Sequence, residues 1–250
     1  MIDLELEGRV AIVTGASRGL GHAASVALLE QGARVLATAR TLDELQKLRA
    51  IAPESIRISQ CDMRDAAAVM RLPDEAVEAF GRLDIVVNNA GIAPAGDFLE
   101  QSDSIWSEVM AVNVLAPMHL TRAAGRHLVS RGAGKIINIA STSGILGKAT
   151  LVAYSASKGA LLQFTKALAA EWAGKGVQVN AIAPGAFATD AQRAVLESPE
   201  LLARRTRKIP ARRMGETREI GPLVCFLASA RSDFVTGSVF VIDGGESCRL

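Results

Sequence analysis

Apolar runs of strand length alternate with segments of helical period from the first residues almost to the last, and no other feature restricts the fold as tightly. Such alternation implies repeated βαβ units and a doubly wound α/β architecture, a parallel sheet with helices on both faces. The first predicted strand covers residues 9–14. Ala23, Val26, Ala27 and Glu30 then recur at helical spacing in a helix over 22–31, which Gly32 ends. Further strands are expected at 34–38, 55–60, 83–88, 135–140, 177–183 and 238–242, about seven in all, with helices over 42–50, 105–130 and 153–175. Central runs such as Ile85-Val86-Val87 are apolar without interruption, as expected of strands covered on both sides. Residues 185–214 fall outside this rhythm. A connection that long, placed beyond the carboxyl edge of a parallel sheet, suggests a substrate lid at about 190–214.

Composition narrows the class further. Residues 1–250 contain no linker-like stretch and fit one domain, and 49% hydrophobic against 22% charged residues provides a core and excludes disorder. Apolar runs such as Val10 to Val13 and Ile182 to Pro184 fall far short of the ~20 residues that a membrane span needs. The start, Met1 to Glu7, carries acids where a secretory signal would carry a basic end and an apolar run, so a cytoplasmic protein is expected. A net charge of +2 gives no electrostatic reason to hold nucleic acid. Cys61, Cys225 and Cys248 form no CxxC pair, and His22, His119 and His127 form no HExxH-like pair. Reduced thiols and no metal site are expected.

The most informative turn follows the first strand. In Thr14-Gly15-Ala16-Ser17-Arg18-Gly19-Leu20-Gly21 the glycines allow a tight turn and bring backbone N–H groups and a helix N-terminus close to a pyrophosphate. The spacing is GxxxGxG rather than GxGxxG, and its place in a βαβ unit gives it weight. At the end of the second strand an acid would accept hydrogen bonds from ribose hydroxyls and select NAD. The chain has Ala39-Arg40 there instead, and Arg40 with Arg18 can offer guanidinium forks to a 2′-phosphate. NADP(H) is therefore favoured, with NAD(H) as the other possibility. Two arginines can also be plain surface residues. Asp62, next to Met63, ends the third strand as a candidate adenine acceptor, and Asn88-Asn89-Ala90-Gly91 ends the fourth with room for a flat ring or ribose. Alone, that tetrapeptide is no more than a turn signal.

Tyr154 and Lys158 stand at i and i+4 on one helix face, and a nearby cation is expected to pull the phenol down from about 10 toward the working pH. Ser141 leaves the preceding strand within reach of the same site. By spacing alone, such a pair is more often ordinary helix surface.

Taken in order, Thr14 to Gly21, Asp62, Asn88 to Gly91, Asn113, Ser141, Tyr154 with Lys158, Pro184-Gly185 with Thr189, and Asp243-Gly244-Gly245 resemble the short-chain dehydrogenases/reductases over nearly the whole chain. The resemblance implies a Rossmann-type fold, a nicotinamide cofactor and hydride transfer to or from a carbonyl or alcohol, with the hydride chemistry belonging to the cofactor. It implies Tyr154 as general acid or base, Ser141 as the partner of the substrate oxygen, Lys158 as the cation on the nicotinamide ribose, and Asn113 as the holder of a relay water. Gly15, Ser17, Arg18, Gly19, Leu20, Gly21, Arg40, Asp62, Met63, Asn89, Ala90 and Gly91 would line the cofactor site, together with Tyr154, Lys158, Pro184, Gly185, Phe187 and Thr189. A homotetramer is also implied. It would pair the helices at 105–130 and 153–175 across one two-fold axis and the 238–250 end across another.

The substrate stays open between a sugar acid or polyol and a 3-oxoacyl thioester on acyl carrier protein, since the motifs around Thr189 and Gly215 resemble both groups. A dinucleotide-sensing protein without turnover is a remote third reading. The intact Asn113, Ser141, Tyr154 and Lys158 set argues against it.

Overall fold

Neighbouring residues of each central strand go to opposite cores, which is why those strands are apolar throughout. In the computed structural model, which describes residues 4–248, Ala11 and Val13 pack on one face of the sheet, and Val10 and Ile12 on the other. Ile85 and Val87 against Val86, and Ile137 and Ile139 against Ile136, repeat the pattern. Strands β1 (Val10–Thr14), β2 (Arg34–Ala39), β3 (Ile56–Gln60), β4 (Ile85–Asn88), β5 (Gly134–Ile139), β6 (Val177–Pro184) and β7 (Val239–Ile242) form one sheet in the order β3-β2-β1-β4-β5-β6-β7. Every pairing in it is parallel. The order reverses direction at β1/β4, the place where open α/β sheets bind ligands at their carboxyl edge.

Helices α1 (Gly19–Glu30) and α2 (Leu42–Ile51) cover one face through Ala24, Leu28, Leu45 and Leu48. On the opposite face lies α3 (Ala66–Phe80), in a stretch where the sequence pattern indicates no element. Pro73 removes an amide donor in its middle. The helix persists because Asp65 caps it at the Ala68 amide (3.0 Å), Val69, Leu72, Pro73 and Ala76 bury one stripe, and Gly81 closes it in the left-handed conformation.

The single helix expected over 105–130 is three pieces: α4 (Asp103–Met110), a π-helical turn (Ala111–Leu115) and α5 (Ala116–Arg131). Asn113 sits in the π turn, a distortion that concentrates at functional sites. After β5 come the short α6 (Ser143–Leu146) and α7 (Val152–Trp172), which a 3₁₀ turn extends to Lys175.

The segment after β6 has structure of its own. It holds α8 (Arg193–Leu196) and α9 (Pro199–Thr206), and Ile209 and Met214 pack with Ala186 in a small separate core. Helix α10 (Gly221–Ala228), also unforeseen in the sequence, adds Val224 and Leu227 to the α1 face before β7. Among the described residues no helix is long and apolar enough to cross a membrane. Of the expected pairing end, residues 249–250 lie outside the described residues, as do residues 1–3 of the acidic start.

Candidate functional site

A cleft of about 1030 Å³ runs along the carboxyl edge of the sheet. All the residues predicted for cofactor or catalysis line it except two, Gly21 and Asn113.

Helix α1 begins at Gly19, three residues earlier than periodicity indicates, because Leu20 and the glycines carry no amphipathic signal. Gly15 and Gly19 adopt φ of 65° and 59°, the left-handed region that glycine enters freely. Gly21 lies beneath the turn, packed so closely on the Gly15 carbonyl and the Asn89 amide that no side chain fits; its part is close packing, not lining. Asn89 pins the same turn, its Nδ2 donating to the Thr14 (2.8 Å) and Gly15 (3.2 Å) carbonyls. Thr14 Oγ1 accepts from the Asn89 and Ala90 amides, both at 3.0 Å. No side chain caps α1, and its first turn holds no acid, so its N-terminal amides are available to an anion. These features fit a pyrophosphate. Arg18 and Arg40, both exposed, line this end of the cleft, and neither guanidinium has a hydrogen bond or ion pair among the described residues.

Asp62 is less free than the sequence suggests. Both its oxygens accept from Arg64 Nε at 3.0 Å, and that guanidinium, with a smaller contribution from Arg40, holds the carboxyl below the usual carboxylate range despite some burial. Arg64 also meets Glu108 at 3.2 Å. The carboxylate therefore faces the cleft with its charge already shared, and contact with an adenine amine has to compete with Arg64.

The other part of the cleft gathers the proton-handling groups. Ser141, just past β5, is buried and accepts from the Ser143 amide at 3.0 Å. It is also hydrogen-bonded to the Tyr154 phenol in the first turn of α7. One turn on, Lys158 is 3% exposed; its Nζ donates to the Ile139 carbonyl at 2.7 Å and lies 5.7 Å from the Tyr154 ring centre. A Cβ on Gly91 would lie 3.3 Å from Asn113 Oδ1 and 3.4 Å from Lys158 Nζ, so a side chain there would crowd both groups.

Asn113 stands behind the cleft wall. Its Nδ2 donates to Ile92 O and Ser157 Oγ, both at 2.9 Å, and its Oδ1 accepts from Ile92 N. Ser157 in turn donates to the Tyr154 carbonyl at 2.7 Å. Both amide hydrogens are thus spent on protein, and the side chain braces the segment after β4 against α7.

The electrostatics correct one expectation. Burial pushes the Tyr154 phenol above its ordinary value of 10.0, and the Ser141 bond only partly reverses this. Lys158 does not lower it, because its ammonium lies over the ring and is bound to Ile139 rather than to the phenol oxygen. Burial pulls Lys158 itself from 10.5 down to about 8.

Sequence reasoning missed two groups on the far wall, Lys148 and Glu246. They come from separate connections and share no local pattern with each other or with Arg205, which pairs with Glu246 only in the folded chain.

A family model described as enoyl-(acyl carrier protein) reductase matches residues 15–247. Galactitol 2-dehydrogenase (L-tagatose-forming) from Cereibacter sphaeroides is 43% identical over 246 residues, 96% of this chain and 95% of that protein. A 3-oxoacyl-(acyl-carrier-protein) reductase of Vibrio cholerae is 34% identical over 242 residues, 97% of this chain and 98% of that protein. The crystal structure of a gluconate 5-dehydrogenase from Burkholderia cenocepacia in complex with NADP and tartrate matches with a TM-score of 0.93 at 35% identity, covering 99% of this chain and 98% of that one. End-to-end identity to dehydrogenases and reductases alike, on a sheet whose edge brings Ser141, Tyr154 and Lys158 together, means that the chain belongs to the short-chain dehydrogenase/reductase family of oxidoreductases.

Proposed function

We propose that this enzyme interconverts a secondary alcohol and a ketone on a sugar acid or polyol, using NADP(H). The observation that carries the reading is the one cleft that joins the Ser141–Tyr154–Lys158 group to a glycine turn flanked by two arginines with no hydrogen bond or ion pair among the described residues. The names of the relatives, galactitol and gluconate dehydrogenases, support the substrate class. The nicotinamide supplies or accepts the hydride when bound.

The protein's own part is placement and proton handling. The amides at the start of α1 and the Gly15–Gly19 turn would hold the pyrophosphate, and Arg18 and Arg40 the 2′-phosphate. Pro184, Gly185, Phe187 and Thr189 would line the nicotinamide, and Lys158 its ribose. Ser141 donates to the substrate oxygen as negative charge grows there, and Tyr154 gives that oxygen a proton in reduction or takes one in oxidation. A phenol kept above 10 is protonated at neutral pH, which suits the proton-donor role. Lys158, mostly charged at neutral pH, presents its cation to the nicotinamide ribose beside Tyr154. Asn113 keeps Ile92 and Ser157 in register with it.

Residues 190–214 act as a lid that excludes water from the reacting groups. The subunits assemble as a homotetramer, with exposed Leu115 and Val152 at one helical interface and Phe234 and Val241 at the β7 side.

Similarity to the 3-oxoacyl-(acyl-carrier-protein) reductase favours thioester reduction as a second reading. Turnover of aldonates, alditols and 3-oxoacyl thioesters, each with both cofactors and followed by nicotinamide absorbance, separates the two; activity on thioesters alone overturns the sugar reading. For the cofactor, NADPH binds more tightly than NADH, and Arg40→Ala removes roughly 10- to 100-fold of that difference, the worth of a charged hydrogen bond. Equal dissociation constants in the wild type by fluorescence titration would contradict this.

A further inference from the structure

We infer that Lys148 reads an anionic group on the substrate, so that the cleft selects a carboxylate-bearing hydroxy or keto compound over its neutral analogue. The inference rests on the oxidoreductase reading above and adds the residue that discriminates within it.

The cleft has two cationic ends. Arg18 and Arg40 lie beyond β1 and β2. Lys148, Arg193, Arg205 and Lys208 lie beyond β5 and β6, on the other side of the Ser141–Tyr154 pair. Lys148 belongs to the connection between those two residues, and its backbone N–H donates to Ser155 Oγ at 3.1 Å, beside Tyr154. It is exposed and lines the same cleft as Ser141 and Tyr154.

Most of the positive charge at this end is already spent. Arg205 makes a two-pronged pair with Glu246, at 2.5 and 2.7 Å, joining α9 to the turn after β7. Arg193 meets Asp190 at 3.2 Å, and Lys208 has interactions of its own. The Lys148 ammonium has no hydrogen bond or ion pair among the described residues. Partial burial and the neighbouring cations Arg205 and Lys208 hold it below the usual lysine range, and Glu246 offsets them only in part. Lys148 is thus a cation of this wall with no carboxylate bound to it among the described residues. A substrate carboxylate supplies that partner through a charge-assisted hydrogen bond, whereas an alcohol group does not. Glu246 repels an anion from the Arg205 side and directs it toward Lys148.

The test compares an aldonate with the alditol that differs from it only at the terminal carbon, in wild type, Lys148→Met and Lys148→Arg. In the wild type, kcat/KM favours the aldonate. Lys148→Met lowers the aldonate-to-alditol ratio by roughly 10- to 100-fold, mainly through KM, and Lys148→Arg keeps most of it. An unchanged ratio in Lys148→Met overturns the inference. Calorimetric binding of the aldonate to the NADP⁺ complex provides a readout independent of turnover. Binding that weakens in Lys148→Met, in an enzyme that turns over only thioesters, supports the anion site while removing the sugar reading. An enzyme that neither binds nor oxidises the aldonate overturns both.

Discussion

Tyr154→Phe lowers kcat by about 10²- to 10⁴-fold, the usual worth of a positioned proton donor, while the dissociation constant for NADPH stays nearly the same. The substitution removes one hydroxyl from a half-buried ring and leaves the glycine turn, Arg18 and Arg40 untouched. The same group determines the pH dependence. Because burial raises the phenol above 10, reduction, which needs the protonated form, holds its rate through neutral pH and falls only in strong alkali. Oxidation needs the phenolate and accelerates as pH rises. Tyr154 is the only tyrosine in the chain, so near-ultraviolet difference absorbance follows its ionisation directly. In the ligand-free protein it titrates above 10 and barely moves in Lys158→Met, since Lys158 is bound to Ile139 rather than to the phenol. Substantial turnover by the phenylalanine variant would remove Tyr154 from the mechanism.

Lys158→Met abolishes activity and makes the protein more stable. Burial pulls the ammonium from 10.5 to about 8. At about 1.4 kcal/mol per unit, keeping it charged costs the fold roughly 3 kcal/mol at neutral pH. Methionine removes that cost but forfeits the hydrogen bond to the Ile139 carbonyl (2.7 Å), worth about 1–2 kcal/mol. A net gain of about 1–2 kcal/mol in urea unfolding is expected at pH 7. The sign with pH follows from proton binding. Below about 8 both folded and unfolded chains hold this proton and the cost is constant. Between about 8 and 10.5 the unfolded chain holds more of it, so wild-type stability rises with pH and the gap to the variant closes. A variant less stable than wild type at pH 7, or a gap that does not narrow with pH, would contradict the argument. That cost is consistent with the role proposed for Lys158, a cation for the nicotinamide ribose.

The parts legible in the sequence are those written in local spacing. Ile85-Val86-Val87 announces a strand covered on both faces, and the i, i+4 spacing of Tyr154 and Lys158 places phenol and ammonium together. The glycines from Gly15 to Gly21 mark a turn that brings backbone close to a phosphate. Each depends on residues within a few positions of one another, so period and steric demand suffice to read it.

Elsewhere local rules pointed the wrong way or were silent. Pro73 argues against a helix, yet α3 forms because Val69, Leu72 and Ala76 bury against the sheet. The even periodicity around Asn113 gives no sign of the π turn. Asp62 reads as a free acceptor until Arg64 folds back onto it. Tyr154 beside Lys158 implies a lowered phenol, whereas tertiary burial raises it. Arg205 and Glu246, 41 residues apart, pair only once α9 and the turn after β7 meet in one wall, and Lys148 there has no ion pair among the described residues. The sequence by itself determined the strands and the glycine turn, since these follow from covalent spacing, and it pointed to the candidate catalytic groups through the family resemblance. Only the tertiary structure decided which charges are spent, which are left for a substrate and which way each proton affinity moves, because desolvation and pairing depend on neighbours that the chain brings together by folding.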